Sequence, residues 1–351
     1  MIVKDNSFSL RQQLLREINL SIVIDESLTE METSWSHVME QPIPLQEHFL
    51  SWDLHHLLER VNQECTNELQ EIAKIQMGEQ SSYYATLKAI DEMICSIASV
   101  GGDPQQIEIL AHFCQLHDCR VLADKQQMQQ LLCAVAGLAD AAATFELPLK
   151  YSHQPFVQPE LLNCWLLISA ISFSNNMRIK NLKARGDWVY IVGLTKNELG
   201  RSEYALMKEI SGGIFPKTNL SGSKNVCQKI HQAIQKKIVS SCHSCNKGGL
   251  AVALVKMASC GVIHGIKVDL NTVPIENVHS DTELLFSESS SRFVVTVPPS
   301  LAREFEESIS THPFGRIGVA TEDNEIAVTG LHGDIIIRLT DMFKFTEVVM
   351  R

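Results

Sequence analysis

The stretch Leu284-Leu285-Phe286-Ser287-Glu288-Ser289-Ser290-Ser291-Arg292-Phe293-Val294-Val295-Thr296-Val297 constrains the fold of this chain more than any other. An acidic, serine-rich turn runs straight into an alternating apolar strand. Upstream, Asn246-Lys247-Gly248-Gly249 opens the run Leu250-Ala251-Val252-Ala253-Leu254, so a glycine pair begins an apolar helix. Earlier still, Leu87, Ile90, Met93, Ile94 and Ile97 recur at helical spacing. Gly101-Gly102-Asp103-Pro104 stops that helix, and Ile107–Phe113 reads as a short buried strand. Met128–Phe145 is a second helix, with Leu131, Leu132, Val135, Leu138 and Ala142 on its apolar side. Leu161–Phe173 is a buried strand. Helix and strand alternate, which argues an α/β layer.

A second unit begins near Gly186. Trp188–Leu194 is a strand, Gly200 lies in the loop after it, and Val226–Ile238 and Leu250–Ser259 are helices. Arg292–Val297, Arg316–Ala320 and Asp334–Leu339 are strands that close the unit. The expected fold class is α/β (α+β). A small sheet with helices on one face covers residues 81–182, and a mixed sheet flanked by helices covers 183–345. Residues 1–80 are weakly patterned and helical. Leu10, Leu14, Leu15 and Ile18 define one amphipathic helix; Leu54, Leu57, Leu58 and Val61, then Leu69, Ile72 and Ile75, define another helix or helix pair. The polar run Glu30–Pro44 between them is a loop.

Composition narrows the function. A 351-residue chain with 45% hydrophobic residues suits two well-cored globular domains. Its net charge of −11 argues against nucleic acid or an anionic membrane as a general partner, because both need a basic surface. A nucleotide held by backbone N–H groups and Mg²⁺ stays open. The first residues carry no apolar run behind a basic start, and the longest apolar stretches are too short to span a bilayer. Ten irregularly spaced cysteines fit reduced thiols, so the expected compartment is the cytoplasm.

The two motifs together resemble the C-terminal domain of formylglycinamidine ribonucleotide (FGAM) synthase of the PurL type. That synthase is the ATP-dependent amide-to-amidine ligase of purine biosynthesis, and its domains belong to the PurM-like superfamily shared with aminoimidazole ribonucleotide (AIR) synthase. The resemblance covers about residues 81 to 342 and is to the second half of the long synthase. Ala89-Ile90-Asp91-Glu92 through Val100-Gly101-Gly102-Asp103-Pro104 is similar to the family's first helix and turn. Phe113-Cys114, Gly137-Leu138, Asp140-Ala141-Ala142 and Leu166-Leu167-Ile168-Ser169-Ala170-Ile171 follow in order. Gly193, Thr195, Glu198-Leu199-Gly200 and Ser202-Glu203-Tyr204 match the loop that opens the second domain.

Departures from the family pattern fall at ligand-type positions. Ser81 stands where the family has an aspartate, Ala111-His112 where it has Asp-Asn, and His153-Gln154 within its Ser-Gly-Lys-Asp-Ser run. Gly200-Arg201-Ser202 replaces Gly-Gly-Ser, and His243-Ser244 replaces His-Asp. Mg²⁺ needs hard oxygen ligands, and phosphoryl transfer needs metal and cationic groups to offset developing charge. Ser81, Ala111, Gln154 and Ser244 each remove a carboxylate, and His153 replaces a permanent cation. Arg201 places a large side chain where glycine let the backbone approach a ligand. The resemblance therefore implies a retained fold and an abandoned MgATP or MgADP site, with no catalytic residue to assign.

Two readings stand for each remaining motif. Gly248 and Gly249 hold phosphate at a helix start, or form an ordinary turn that packs a helix onto the sheet. Ser287, Glu288, Ser289 and Arg292 grip a ribose phosphate, with Arg292 as the anion partner, or form a structural turn in which Glu288 and Arg292 pair internally. Cys242-His243-Ser244-Cys245 has the spacing of half a zinc site, but Cys114, His117 and Cys119 do not supply the second pair. Two reduced thiols are therefore expected, with no metal site. His112 and His153 occupy former ligand positions without a defined metal set. The resemblance implies a synthase-like, non-autonomous subunit or scaffold half that takes its ammonia from elsewhere. It pairs as a homodimer, or as a heterodimer with a synthase-like chain carrying the first half, because a lone half exposes a sheet edge and an apolar face. The alternative is a pseudoenzyme that binds a purine-pathway ribonucleotide through a retained phosphate pocket.

Overall fold

The computed structural model describes residues 70–76, 82–113, 125–152, 164–172, 182–259 and 265–338. The first sheet has the order β1-β4-β2-β3, built from β1 (Gln70–Gln76), β2 (Ile107–Phe113), β3 (Leu149–Ser152) and β4 (Cys164–Ser172). β4 runs antiparallel to both β1 and β2, and β2 runs parallel to β3. Two helices, α1 (Ser82–Ser99) and α2 (Lys125–Phe145), pack on one face. Ile107, Ile109, Ala111, Ile168 and Ala170 point into that packing, against Ile90, Ile94, Leu131 and Leu138. On the opposite face, exposed Glu108 and Lys150 pair across β2 and β3 at 2.6 Å.

β1 corrects one expectation. Leu69, Ile72 and Ile75 were expected in a helix, yet Gln70–Gln76 is a strand paired residue by residue with β4. The sheet therefore takes in residues upstream of the expected boundary at 81. Apolar residues at intervals of three suit a helix, since in a strand they fall on alternating faces, but the edge of β4 overrides that local pattern by supplying partners for the backbone groups. The amphipathic segments before residue 70 lie outside the described residues.

Gly101 and Gly102 end α1 as the sequence requires. Gly101 has φ +85° and its N–H bonds Ala98 O at 3.0 Å, while Gly102 N–H bonds Ile97 O at 3.0 Å. This is the left-handed cap that satisfies the last helical carbonyls. Its own carbonyls are then taken by the next unit, with Gln235 Nε2 on Gly101 O at 3.2 Å and His231 Nδ1 against Gly102 O at 2.9 Å.

The second sheet has seven strands in the order β13-β12-β8-β11-β5-β10-β7. They are β5 (Trp188–Val192), β7 (Ser241–Ser244), β8 (Ile266–Asp269), β10 (Phe293–Val297), β11 (Phe314–Ala320), β12 (Glu325–Thr329) and β13 (Asp334–Arg338). A parallel pair, β6 (Thr195–Lys196) with β9 (Ile275–Glu276), stands beside it. Only β12 and β8 pair in parallel within the large sheet; its other pairs are antiparallel. Helices on this unit are α3 (Glu203–Met207), α4 (Leu220–Gln235), α5 (Gly249–Ser259), α6 (Asp281–Phe286) and α7 (Ala302–Ile309).

Both faces of this sheet are covered, which explains why β10 reads as nearly continuous apolar sequence. Phe293, Val295 and Val297 face one core, together with Tyr190, Val192, α4 and the helices of the first sheet. Val294 faces the other, with Val189, Ile191, α5 and α6. The inner layer of α1, α2 and α4 thus lies between the two sheets. No helix among the described residues is long and apolar enough to cross a membrane.

Candidate functional site in the crevice between the two sheets

The motifs singled out in the sequence meet where α1 crosses the mouth of the second unit. α6 delivers the serine-rich turn. Ser280 and Glu283 form a capping box at its start, Glu283 N–H bonding Ser280 Oγ at 3.2 Å and Ser280 N–H bonding Glu283 Oε2 at 3.1 Å. The helix ends at Phe286, whose ring stacks on Tyr204 with centroids 4.5 Å apart. Ser287, Glu288 and Ser289 follow, all buried, and Arg292 leads into β10.

Arg292 is fully buried, and three of its donors are spent on the turn that precedes it. Nε bonds Ser289 O at 3.0 Å, Nη1 bonds Thr195 Oγ1 at 2.9 Å, and Nη2 bonds Ser287 O. Burial pulls its pKa down from the usual arginine value, opposed by Cys245, Glu198 and Glu288 nearby. Ser289 Oγ accepts from Lys196 N–H at 3.0 Å and Ser287 Oγ from Glu198 N–H at 3.4 Å. Gly193 makes room for this packing: it has φ +102°, and a Cβ there would lie 2.8 Å from Arg292 Cγ and from Ser291 O.

Glu288 is the centre of the site. Its Oε1 accepts from Gly248 N–H at 2.9 Å and from Glu203 N–H at 2.8 Å, and its Oε2 accepts from Lys88 Nζ at 3.2 Å. Two converging backbone donors and an ammonium are the groups that bind a phosphate oxygen; here they hold the chain's own carboxylate. Glu288 and Arg292 are each satisfied within the chain, but by different partners rather than by each other. Gly249, with φ +64°, sits under this arrangement, where a Cβ would meet Ser287 O at 2.6 Å and Leu285 O at 2.7 Å.

Lys88, Asp91 and Glu92 of α1 complete the site; Asp91 and Glu92 lay in the segment that carries the resemblance, and none of the three was named as a site residue. Lys88 lies between Glu92, one helical turn away, and Glu288. Burial alone would lower the Lys88 pKa; the two carboxylates override it and hold the ammonium above the ordinary lysine range. Asp91 is fully buried and gathers three elements. Its Oδ1 accepts from Ser223 Oγ on α4 and from Ser291 Oγ at 2.7 Å, and its Oδ2 accepts from Ser291 N–H at 2.9 Å. Burial raises its pKa, and these hydrogen bonds oppose the rise. The signal for Asp91 was present in the sequence: a carboxylate four residues after Leu87 and three before Ile94, on the apolar stripe of a helix, demands buried partners.

Glu92 is pushed up to about 7, first by burial and then by the like charges of Glu288 and Asp91, against the pull of Lys88. One cation faces two carboxylates here, and Glu288 has backbone donors, so Glu92 takes the proton. Its folded pKa exceeds the ordinary 4.5, so the folded chain binds the proton more tightly. Its contribution to stability is complete below pH 4.5 and is lost as pH rises through about 7, a change of up to about 3 kcal/mol. Urea denaturation across that window is expected to show falling stability in the wild type, and a markedly flatter profile in Glu92→Gln. Parallel profiles would refute the assignment.

The substituted positions lie as follows. Arg201 is exposed and keeps φ +56°, the left-handed conformation natural to glycine. Its neighbour Gly200 is closed in by Gly213 O, 2.5 Å from where a Cβ would be. Ala111 is fully buried in the core against α1 and α2. Ser244 is half-buried on β7 opposite Phe293, beside half-buried His243. His112 stands on β2 in register with Leu167 and Ser152, its side chain outside the described residues, as are Ser81, His153 and Gln154. Cys242 and Cys245 are buried free thiols; burial raises both, Cys245 to about 11. Among the described residues no group of three or more His, Cys, Asp or Glu side chains is placed to hold a metal ion.

Comparison with known proteins follows the same division. Residues 184–330 match the family described as AIR synthase related protein, C-terminal domain. The phosphoribosylformylglycinamidine synthase subunit PurL of Thermococcus sibiricus is 32% identical over 219 residues, covering 61% of this chain and 30% of that protein. Among solved structures, T. maritima PurL complexed with FGAR superposes with a TM-score of 0.63 at 13% identity, over 95% of this chain and 56% of that one. A HypE–HypF complex gives a TM-score of 0.53 at 16% identity, over 76% of this chain and 88% of the other. At such identities the structural likeness establishes the fold alone. The chain spans about a third of the length of the curated relatives it matches.

Proposed function

We propose that this chain, whose residues 184–330 match the AIR synthase related C-terminal domain, is of the PurL type and serves purine biosynthesis as a non-catalytic half of an FGAM synthase-like assembly. It pairs with a second copy or with a synthase-like chain, and it does not turn over ATP itself. One observation carries this reading. The groups that would receive a phosphate, the N–H of Gly248 and Glu203 and the ammonium of Lys88, are held by Glu288, while Arg292 is spent on the turn. Chemistry on a phosphoryl group requires those donors to be free for the transferring oxygens. Ser244 and Ala111, where the resemblance implies carboxylates, supply none to a metal. The compartment proposed is the cytoplasm, in keeping with ten irregularly spaced cysteines that fit reduced thiols.

Isothermal calorimetry of the full chain with MgATP and MgADP tests the reading, with the oligomeric mass recorded in the same preparation. A stable dimer that releases no binding heat up to millimolar nucleotide is the expected result. Micromolar binding that disappears with EDTA would overturn it and direct assays toward formylglycinamide ribonucleotide and ammonia. Binding of a ribose phosphate without metal, abolished by Arg292→Ala in a folded protein, would favour the ribonucleotide-sensing alternative instead.

A further inference from the structure

A feature outside the crevice chemistry joins the same two units. Cys95 on α1 and Cys227 on α4 place their sulfur atoms 3.5 Å apart, and both side chains are fully buried. They are 132 residues apart in sequence. We infer that Cys95 and Cys227 are a redox-sensitive staple: a thiol pair that oxidises to an intramolecular disulfide and locks the α1 layer onto α4.

Three observations support the pair as more than two core thiols. Their sulfurs are already in contact at 3.5 Å, against a bonded distance of about 2 Å, so no third group separates them. The pair crosses between helices of the two units, so a bond there constrains tertiary structure rather than a local turn. Asp91 Oδ1 also accepts the Cys95 thiol at 3.7 Å, which puts a proton acceptor beside one sulfur. The same carboxylate binds Ser223 on α4 and Ser291, so the bond would form beside the contact that already holds the units together.

The chemistry balances with a peroxide as oxidant. Cys95 gives its proton to Asp91 as its sulfur attacks one peroxide oxygen; the O–O bond breaks, a sulfenic acid forms, and the leaving hydroxide takes that proton back from Asp91 and becomes water. Cys227 sulfur then displaces the hydroxyl, which leaves as a second water. Two thiols and one hydrogen peroxide become one disulfide and two waters. Burial holds the Cys95 thiol well above its usual pKa, so little thiolate is present and the attack is slow. The finished bond is equally shielded from reductants. This inference stands independently of the nucleotide reading.

The test uses the full chain, fully reduced and then exposed to hydrogen peroxide. Remaining thiols are alkylated and the digest is mapped by mass spectrometry. The expected product is a Cys95–Cys227 cross-linked peptide, with a rise in Tm of about 5 °C because the bond closes a long loop. The Tm rise should disappear in Cys95→Ser and in Cys227→Ser, and return to baseline on reduction after unfolding. The mapping on wild type needs no variant to fold. Recovery of both cysteines as free thiols, under exposure that oxidises the half-buried Cys133, would overturn the inference. So would their linkage to other cysteines, or a cross-link that leaves Tm unchanged or lowers it.

Discussion

Arg292→Ala is expected to destabilise the chain by about 3–5 kcal/mol, a large fraction of the stability of an ordinary domain. The guanidinium is fully buried and binds Ser287 O, Ser289 O and Thr195 Oγ1 at once. Its removal leaves those oxygens unpaired inside the core and takes away a cation that lies near Glu198 and Glu288. Arg292→Lys keeps the charge, but a single ammonium cannot reach three acceptors spread along a planar fork, so it should recover only part of the loss. Urea midpoints of the three proteins measure this. A loss below about 1 kcal/mol in Arg292→Ala would mean that these bonds are dispensable and that the arginine is available to a ligand.

The second large effect centres on Glu288. Alanine there takes the carboxylate acceptor from the buried N–H of Gly248 and the half-buried N–H of Glu203, and leaves Lys88 with Glu92 as its remaining ion pair among the described residues. Hydrogen bonds to a charged group contribute about 1.5–3 kcal/mol each, so a loss of about 3 kcal/mol is expected. Glu288→Gln keeps one acceptor oxygen and should lose about half as much. Removing the Glu288 charge also removes one of the causes that raise Glu92, so the pH at which stability falls should move down in both variants. Unchanged stability in Glu288→Ala would show that the cradle needs no internal anion. Recovery of the lost stability by added phosphate would show that the vacated donors accept a free one.

Much of the fold was legible because its elements carry local signals. The helix Ser82–Ser99 has its apolar residues at helical spacing and a glycine pair at its end, and the strand Ile107–Phe113 is bounded by Pro104 and turn residues. Strands 266–269 and 325–329, and the helices over 281–286 and 302–309, were not anticipated. They are short, and the strands Ile266–Asp269 and Glu325–Thr329 pair with each other in parallel across about sixty positions, although Glu325–Thr329 also forms a local hairpin with Asp334–Arg338. Strand Gln70–Gln76 was misassigned for the same reason: its edge partner Cys164–Ser172 lies about a hundred residues downstream. Ser280-Asp281-Thr282-Glu283 did hold a capping-box signal that marks the start of α6.

The site shows the same boundary. By itself the sequence determined which residues belong to the turn and that Gly248 and Gly249 open a helix, because spacing and residue type are local properties; that Arg201 occupies a glycine position came from the family resemblance. Only the tertiary structure decided that Glu288 binds the Gly248 and Glu203 N–H groups, that Arg292 braces the turn instead of facing solvent, and that Asp91 and Lys88 of a distant helix close the crevice. Those roles depend on which donors and acceptors remain unpaired once two sheets pack around one helical layer. In a desolvated space each charge must take whatever partner the packing brings within about 3 Å, and no spacing along the chain specifies that partner.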